Sequence, residues 1–222
     1  TRLDAFVGTL ASLRAPAWVL TFAHEIVVDH KPDMTDVEAW AGFSRTVHSL
    51  SERARVIVAH ADLSGMPAVA AGADTVGSGW DRGQRCFDPN SFRLDSDPGI
   101  RILASYVTQG GLMAVMRRDV AEAIERWDPR QAYRMRGGSM PPSDAAQRMH
   151  HLGQLRAAVA AVSGHSSRSS RVRELRDRYR AAEADFDSLN TALGRTVPPS
   201  EKLTWASQPL SVLEAYASAE GF

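Results

Sequence analysis

The stretch from Arg55 to Asp81, RVIVAHADLSGMPAVAAGADTVGSGWD, limits the fold of this chain more than any other. An apolar run from Arg55 to Ala59 passes through a polar loop at His60 to Asp62. An alanine-rich helical segment, Met66 to Ala71, follows, and a second apolar run from Asp74 to Gly77 leads into Gly77, Ser78 and Gly79. Two apolar strands separated by a helix read as a parallel pair with the helix as crossover, since an antiparallel pair is joined by a tight turn instead.

The same alternation extends upstream. Leu3, Phe6, Val7, Leu10 and Leu13 recur at helical spacing, so residues 2–14 are expected as an amphipathic helix ended by Pro16. Trp18 to Ala23 is a continuous apolar run of strand length, the pattern of a strand covered on both faces. A polar loop from His24 to Asp33 follows. Thr35, with Glu38 three residues later, makes a capping box for a helix running to Arg53. Helix and strand alternate three times, which argues for α/β architecture with parallel strands.

Downstream the pattern changes. Residues 82–99 hold Gly83, Pro89, Asn90, Pro98 and Gly99 and read as a long loop. Ile100 to Val107 is expected as a further strand, broken by Gly110 and Gly111 before a helix over 112–127. Residues 128–142 are rich in Pro, Gly and polar groups and read as a linker. Beyond them two long helices, 143–163 and 169–194, are joined by the SGHSSRSS turn into an antiparallel hairpin. A short helix over 209–219 closes the chain. The expected organisation is therefore an α/β part at 1–127, a linker at 128–142 and a helical appendix at 143–222.

The segment Gly72-Ala73-Asp74 to Gly79 resembles the final strand of phosphate-binding (βα)8 barrels, in which a Gly-Ala-Asp-x-Val strand runs into a Gly-Ser or Gly-Gly turn. That resemblance implies a TIM-type barrel whose last strand presents backbone N–H groups to an anion, with Gly77, Ser78 and Gly79 receiving it. The chain departs from the pattern twice. The preceding strand ends in His60-Ala61-Asp62 rather than a glycine pair, and Trp80 follows the turn where small residues are usual. Three or four strands do not close such a barrel. The remainder is expected on a segment before Thr1 or on another chain, with a smaller open sheet as the alternative.

In parallel strands the carboxyl ends share one edge, and that edge is where α/β folds place their sites. His24 and Glu25 end the first strand, and His60 and Asp62 end the second. Ser78, Asp81, Arg82 and Arg85 follow the third. Histidine beside carboxylate suits acid–base work near neutral pH, so His24, Glu25, His60 and Asp62 are the candidate catalytic groups. Gly77, Ser78, Gly79, Asp81, Arg82 and Arg85 are the candidate substrate-binding residues, with the two arginines suited to a small anionic, phosphorylated or nucleotide-like compound. The same His and carboxylate set offers N/O ligands to a divalent metal, which would make a metal-dependent hydrolase; no HxH or HExxH spacing adds to it. A base-exchanging barrel acting on tRNA or DNA is a further alternative, although the zinc-binding cysteines of many such enzymes are absent. A non-catalytic subunit binding protein or nucleic acid through its C-terminal helices is another.

Composition narrows these classes. With 26 basic and 26 acidic residues the net charge is zero, so no overall field favours nucleic acid or an anionic membrane. In the run from Arg168 to Arg180 acidic residues interleave with the arginines, the pattern of a solvated helix face. Lys31 and Lys202 are the only lysines, and neither ends a strand, which argues against Schiff-base chemistry. The dominance of arginine over lysine and the alanine content resemble the coding bias of a GC-rich genome, and a bacterial source is expected. Cys86 is the single cysteine, excluding an intrachain disulfide and a Cys-rich zinc module. No secretory signal pattern and no apolar run of about 18 residues is present, and a cytoplasmic protein is expected. His150 and His151, adjacent on a helix, point about 100° apart and do not share a metal; core or capping use is expected. Thr1 begins a helix, so a trimmed chain is expected rather than an N-terminal threonine nucleophile.

Overall fold

Three strands pair in chain order. In the computed structural model, which describes residues 2–24, 27, 31–77, 79–89 and 105–222, β1 (Ala17–Thr21), β2 (Arg55–Ala59) and β3 (Thr75–Val76) form a parallel sheet in the order β1-β2-β3. α1 (Arg2–Ser12) precedes them, α2 (Val37–Ser51) joins the first two and α3 (Met66–Ala71) the last two. The register sets Leu20 beside Val58 and Val58 beside Val76, and this row faces the helices. The opposite row runs Val19, Ile57, Thr75. Val19 on it is 65% exposed, and Ala17, Thr21 and Thr75 are exposed as well. The helices therefore cover one face of the sheet.

A separate antiparallel hairpin follows, β4 (Tyr106–Gln109) with β5 (Ala114–Arg117). Residues 112–117 differ from the expected helix. Gly110 to Leu112 make a 3-10 turn, Met113 takes a left-handed conformation (φ 53°), and Ala114, Val115 and Met116 are buried against the core. The glycine pair is thus a hairpin turn, and the helix begins one element later as α4 (Arg118–Trp127). The segment at 128–142, expected as a linker, holds α5 (Pro129–Arg136). Its breakers are helix punctuation: Asp128 caps the amides of Arg130 and Gln131, Pro129 occupies the first turn, and Gly137 ends the helix at φ 78°. The first cap also differs from expectation. Asp36 accepts from the Ala39 amide, while Thr35 turns back to Asp33, so the carboxylate one residue on becomes the N-cap of α2.

The long helices fall where the periodicity places them, as α6 (Asp144–Ser163) and α7 (Arg168–Leu193). After α8 (Pro199–Lys202), a π-helical turn (Leu203–Ser207) leads into α9 (Gln208–Glu220). The chain is thus mixed α/β with a helical C-terminal part. That part packs onto the outer side of α2 and α3, and one apolar cluster runs from Val58 and Leu50 through Val69 to Leu175, Phe186 and Tyr216. Among the described residues no helix is long and apolar enough to cross a membrane.

Arg168 ties the two parts by hydrogen bonds. Its guanidinium donates to the carbonyls of Ala71 and His48 and to Ser51 Oγ, satisfying the C-terminal turns of α3 and α2. Arg178, further along α7, makes an i,i+4 pair with Glu174 among the described residues. Arg168→Ala is expected to cost about 2 kcal/mol and Arg178→Ala under about 0.5 kcal/mol, measured by urea denaturation of each variant. Equal costs would remove Arg168 as the tie.

Candidate functional site

The second strand ends on a sharp turn. His60 (φ 53°) and Asp62 (φ 49°) both adopt left-handed backbone, a conformation that is uncommon outside glycine and that clusters at functional sites. The turn is held from the neighbouring strand, where the Gly77 carbonyl accepts from the amides of Ala61 and Asp62. Ser64 Oγ donates to the Ala61 carbonyl. This turn buries the Asp62 carboxylate beneath the strand edge rather than releasing it to solvent.

Asp62 is 6% exposed, and its charged and polar neighbours come from two other segments. Arg85, 8% exposed, brings Nε to 3.8 Å from Asp62 Oδ2. His151 on α6, 2% exposed, brings Nε2 to 3.4 Å from Oδ1. Its other ring nitrogen, Nδ1, lies 2.8 Å from Thr108 Oγ1 on β4. An ionised Asp62 only accepts, so the favourable tautomer carries its proton on Nε2 and accepts from the Thr108 hydroxyl at Nδ1. The adjacent His150 reaches the Thr108 carbonyl at 3.0 Å. Thr108, His151, Asp62 and Arg85 thus lie in a row, of which the Thr108–His151 contact is a hydrogen bond and the other two are longer polar approaches.

Burial sets the proton affinities of this group. It lifts the Asp62 carboxyl to about 6, against the opposing pull of the Arg85 guanidinium. It lowers His151 to about 3, with the Arg85 charge acting in the same direction. At neutral pH His151 is therefore neutral, and Asp62 is the group poised to exchange a proton. Cys86, also buried here, is pushed up to about 12 and stays a thiol.

Asp62 and Arg85 line a cavity of ≈ 10 Å³, room for one water-sized group. Leu63, Arg82, Cys86 and Val115 share its wall, and Trp205 closes it from the π-helical turn. The Trp205 indole donates to Glu201, whose other carboxylate oxygen pairs with Lys31 at 2.6 Å. The helical C-terminal part therefore supplies a wall of a site that begins at a strand end. π-Turns recur at functional sites because they re-aim a side chain within a helix.

The expected residues distribute unevenly around this centre. Glu25 and Ser78 lie outside the described residues. His24 is 3% exposed, packed among Phe22 and Trp40, and is not among the residues lining the Asp62 cavity. Burial lowers its pKa, while Asp33 and Asp88 pull the other way. His60 Nδ1 is engaged by the Gln84 carbonyl at 2.7 Å. Gly77 donates its amide to the Val58 carbonyl, leaving no amide there for an anion. A Cβ at Gly77 would sit 3.2 Å from the Ala59 backbone, so close strand approach accounts for that glycine. At Gly79 a Cβ would meet Gln84 at 2.1 Å, which makes that glycine a packing requirement of the turn. Asp81 pairs with Arg148 at 2.7 Å and caps the turn at Arg82–Gln84. Arg82 stacks on the Tyr106 ring at 3.3 Å and lines the cavity, as Arg85 does.

His151, Thr108 and Trp205 had no sequence signal as site residues. His151 read as a core or capping histidine, and only the docking of α6 brings it to Asp62. Among the described residues no three His, Cys, Asp or Glu side chains are grouped to hold a metal ion. On α7, Arg176, Arg178 and Arg180 are paired with Glu214 and Glu174.

Opposite pH dependences follow for the two buried partners. Asp62 has a folded pKa above its unfolded value, so its contribution to stability is fully present below about 3.8 and is lost as pH rises through about 6. His151 has a folded pKa below its unfolded value, so its contribution is present above about 6.5 and is lost as pH falls toward about 3. From pH 7.5 to 4.5, wild type should gain about 2 kcal/mol on Asp62→Asn and lose about 2–3 kcal/mol on His151→Gln. Chemical denaturation across that range measures both. Parallel pH curves for wild type and either variant would contradict the assignment. Comparison with protein-family profiles, with curated proteins and with solved structures finds no match to this chain.

Proposed function

We propose that this protein is an enzyme acting on a small anionic, phosphorylated or nucleotide-like compound, with Asp62 as its acid–base group. The supporting observation is a carboxylate buried at the carboxyl end of a parallel strand, lifted to about 6 and bracketed by Arg85 and His151. A carboxyl group titrating near 6 takes and returns a proton at little cost near neutral pH, which suits general acid–base catalysis. Arg85 compensates the ionised form. His151, neutral and fixed by Thr108, stands beside the carboxylate at 3.4 Å. Arg82, at the cavity wall, is the cation for the substrate's anionic group. In this reading the acid–base role expected of His24 and His60 rests on Asp62, and His60 shapes the turn through Gln84.

A thermal-shift screen of small phosphorylated and nucleotide-like compounds tests the reading. At least one should stabilise the wild-type chain and be turned over, and Asp62→Asn should lower kcat by roughly 10²–10⁴-fold. Failure of the whole class to stabilise the chain, or full turnover by the variant, would discard it.

We also read the sheet as part of a (βα)8-type barrel. Consecutive parallel order, helices on one face and an exposed Val19 on the other support this, because the second face of such a sheet is a barrel interior. Among the described residues β1 is an outer strand carrying no charged side chain, unlike edges that monomers protect. Further strands, from another segment or another chain, would continue from it. A cysteine placed by Val19→Cys should react readily with a thiol reagent in the isolated chain and slowly in a lysate of the source organism. Equal rates would count against the barrel.

A further inference from the structure

The Asp62 cavity carries two orphaned charges. Asp62 Oδ1 and Arg85 Nε are buried and have no hydrogen-bond partner among the described residues. Both residues line the same cavity. The His151 contact to Oδ1, at 3.4 Å, is not aligned as a hydrogen bond, and the 3.8 Å approach of Arg85 Nε to Oδ2 is too long for one. Buried polar atoms in native proteins are almost always satisfied, so each orphan calls for a partner.

The geometry restricts what that partner is. An ionised carboxylate oxygen accepts and a guanidinium N–H donates, so a single group that meets both donates to Asp62 and accepts from Arg85. The room is ≈ 10 Å³, the size of a single water. A carbonyl oxygen would satisfy Arg85 and leave Asp62 unmet. An ammonium would do the reverse. A phosphate or carboxylate oxygen would face the Asp62 charge. An amide edge offers both functions on two separate heavy atoms and needs more space. A hydroxyl offers both on one oxygen.

We propose that this cavity receives a hydroxyl group of the substrate, which donates to Asp62 Oδ1 and accepts from Arg85 Nε. The proposal rests on the anionic-substrate reading above and adds a second element to that substrate: a hydroxyl beside the anionic group that Arg82 meets. In the reaction the O–H bond breaks, its proton passes to Asp62 Oδ1, and its electron pair stays on the oxygen beside the Arg85 guanidinium. Leu63, Val115 and Trp205 give that oxygen apolar walls beside the polar groups of Ser64, Arg82 and Cys86. A bound water has the same donor and acceptor chemistry and is the competing occupant.

Two probes that differ by hydroxyls alone separate these possibilities: glycerol 3-phosphate and n-propyl phosphate, titrated calorimetrically into the full chain at pH 7.5. The hydroxylated probe should bind roughly tenfold or more tightly, the worth of a hydrogen bond to a charged group. That preference should collapse in Asp62→Gly, which suits the left-handed backbone there, and in Arg85→Lys, which keeps the charge and removes Nε. Circular dichroism confirms that each variant is folded, and the two variants alter the cavity from opposite sides. Equal binding of both probes would leave the anionic reading standing and overturn the hydroxyl, assigning the cavity to water. A preference that survives in both variants would place the hydroxyl elsewhere and overturn the proposal. Binding of neither probe would overturn the hydroxyl proposal and leave the anionic reading to the wider screen.

Discussion

A carboxylate and a guanidinium buried together, without a direct hydrogen bond between them, are what the rest of this structure is arranged to hold. Withdrawing such groups from water costs several kcal/mol per ion, and mutual attraction repays it only in good geometry. Here Asp62 and Arg85 stand 3.8 Å apart. Their burial is sustained by the elements around them: the strand-end turn anchored on Gly77, the 3-10 turn that precedes Arg85, and α6, which brings His151. Buried charges with perturbed proton affinity cluster at functional sites and also occur in structural ion-pair networks.

The backbone around Asp62 points the same way. Left-handed conformation at His60 and at Asp62 is a local cost that the fold imposes. An extended path from Ala59 would have carried the carboxylate outward with its strand. The double turn instead sets it under the edge, where desolvation lifts its proton affinity. Strain and raised pKa have one cause, the direction in which β2 is made to end.

The C-terminal helices are part of this design. Arg168 closes the ends of α2 and α3, α6 delivers His151, and the π-turn delivers Trp205. Lys31, in the loop after β1, is fastened to Glu201, which also holds the Trp205 indole. Sheet and helical part share one apolar core, so motion of either would be felt at the cavity.

The sequence by itself determined the local elements. The apolar run Arg55–Ala59, the alanine-rich Met66–Ala71 and the two long periodic helices form where their patterns place them, because these are local properties, whereas the Trp18–Ala23 run yields a strand over Ala17–Thr21 that is open on one face, not covered on both. Three residues that the sequence singles out, Asp62, Arg82 and Arg85, line one cavity. Where the sequence misled, at Gly110–Gly111 and at Pro129 and Gly137, the residues were read as breaks although their conformations serve a hairpin turn and helix ends. Only the tertiary structure decided which polar groups meet. His151, Thr108 and Trp205 are remote from Asp62 in sequence, and no spacing rule relates them. Nor does sequence reveal that Gly77 spends its amide on the ladder, that His24 is enclosed by aromatic rings, or that Asp62 is buried. Desolvation, which sets the chemistry of that carboxylate, is a property of the assembled surroundings and is written in no single segment.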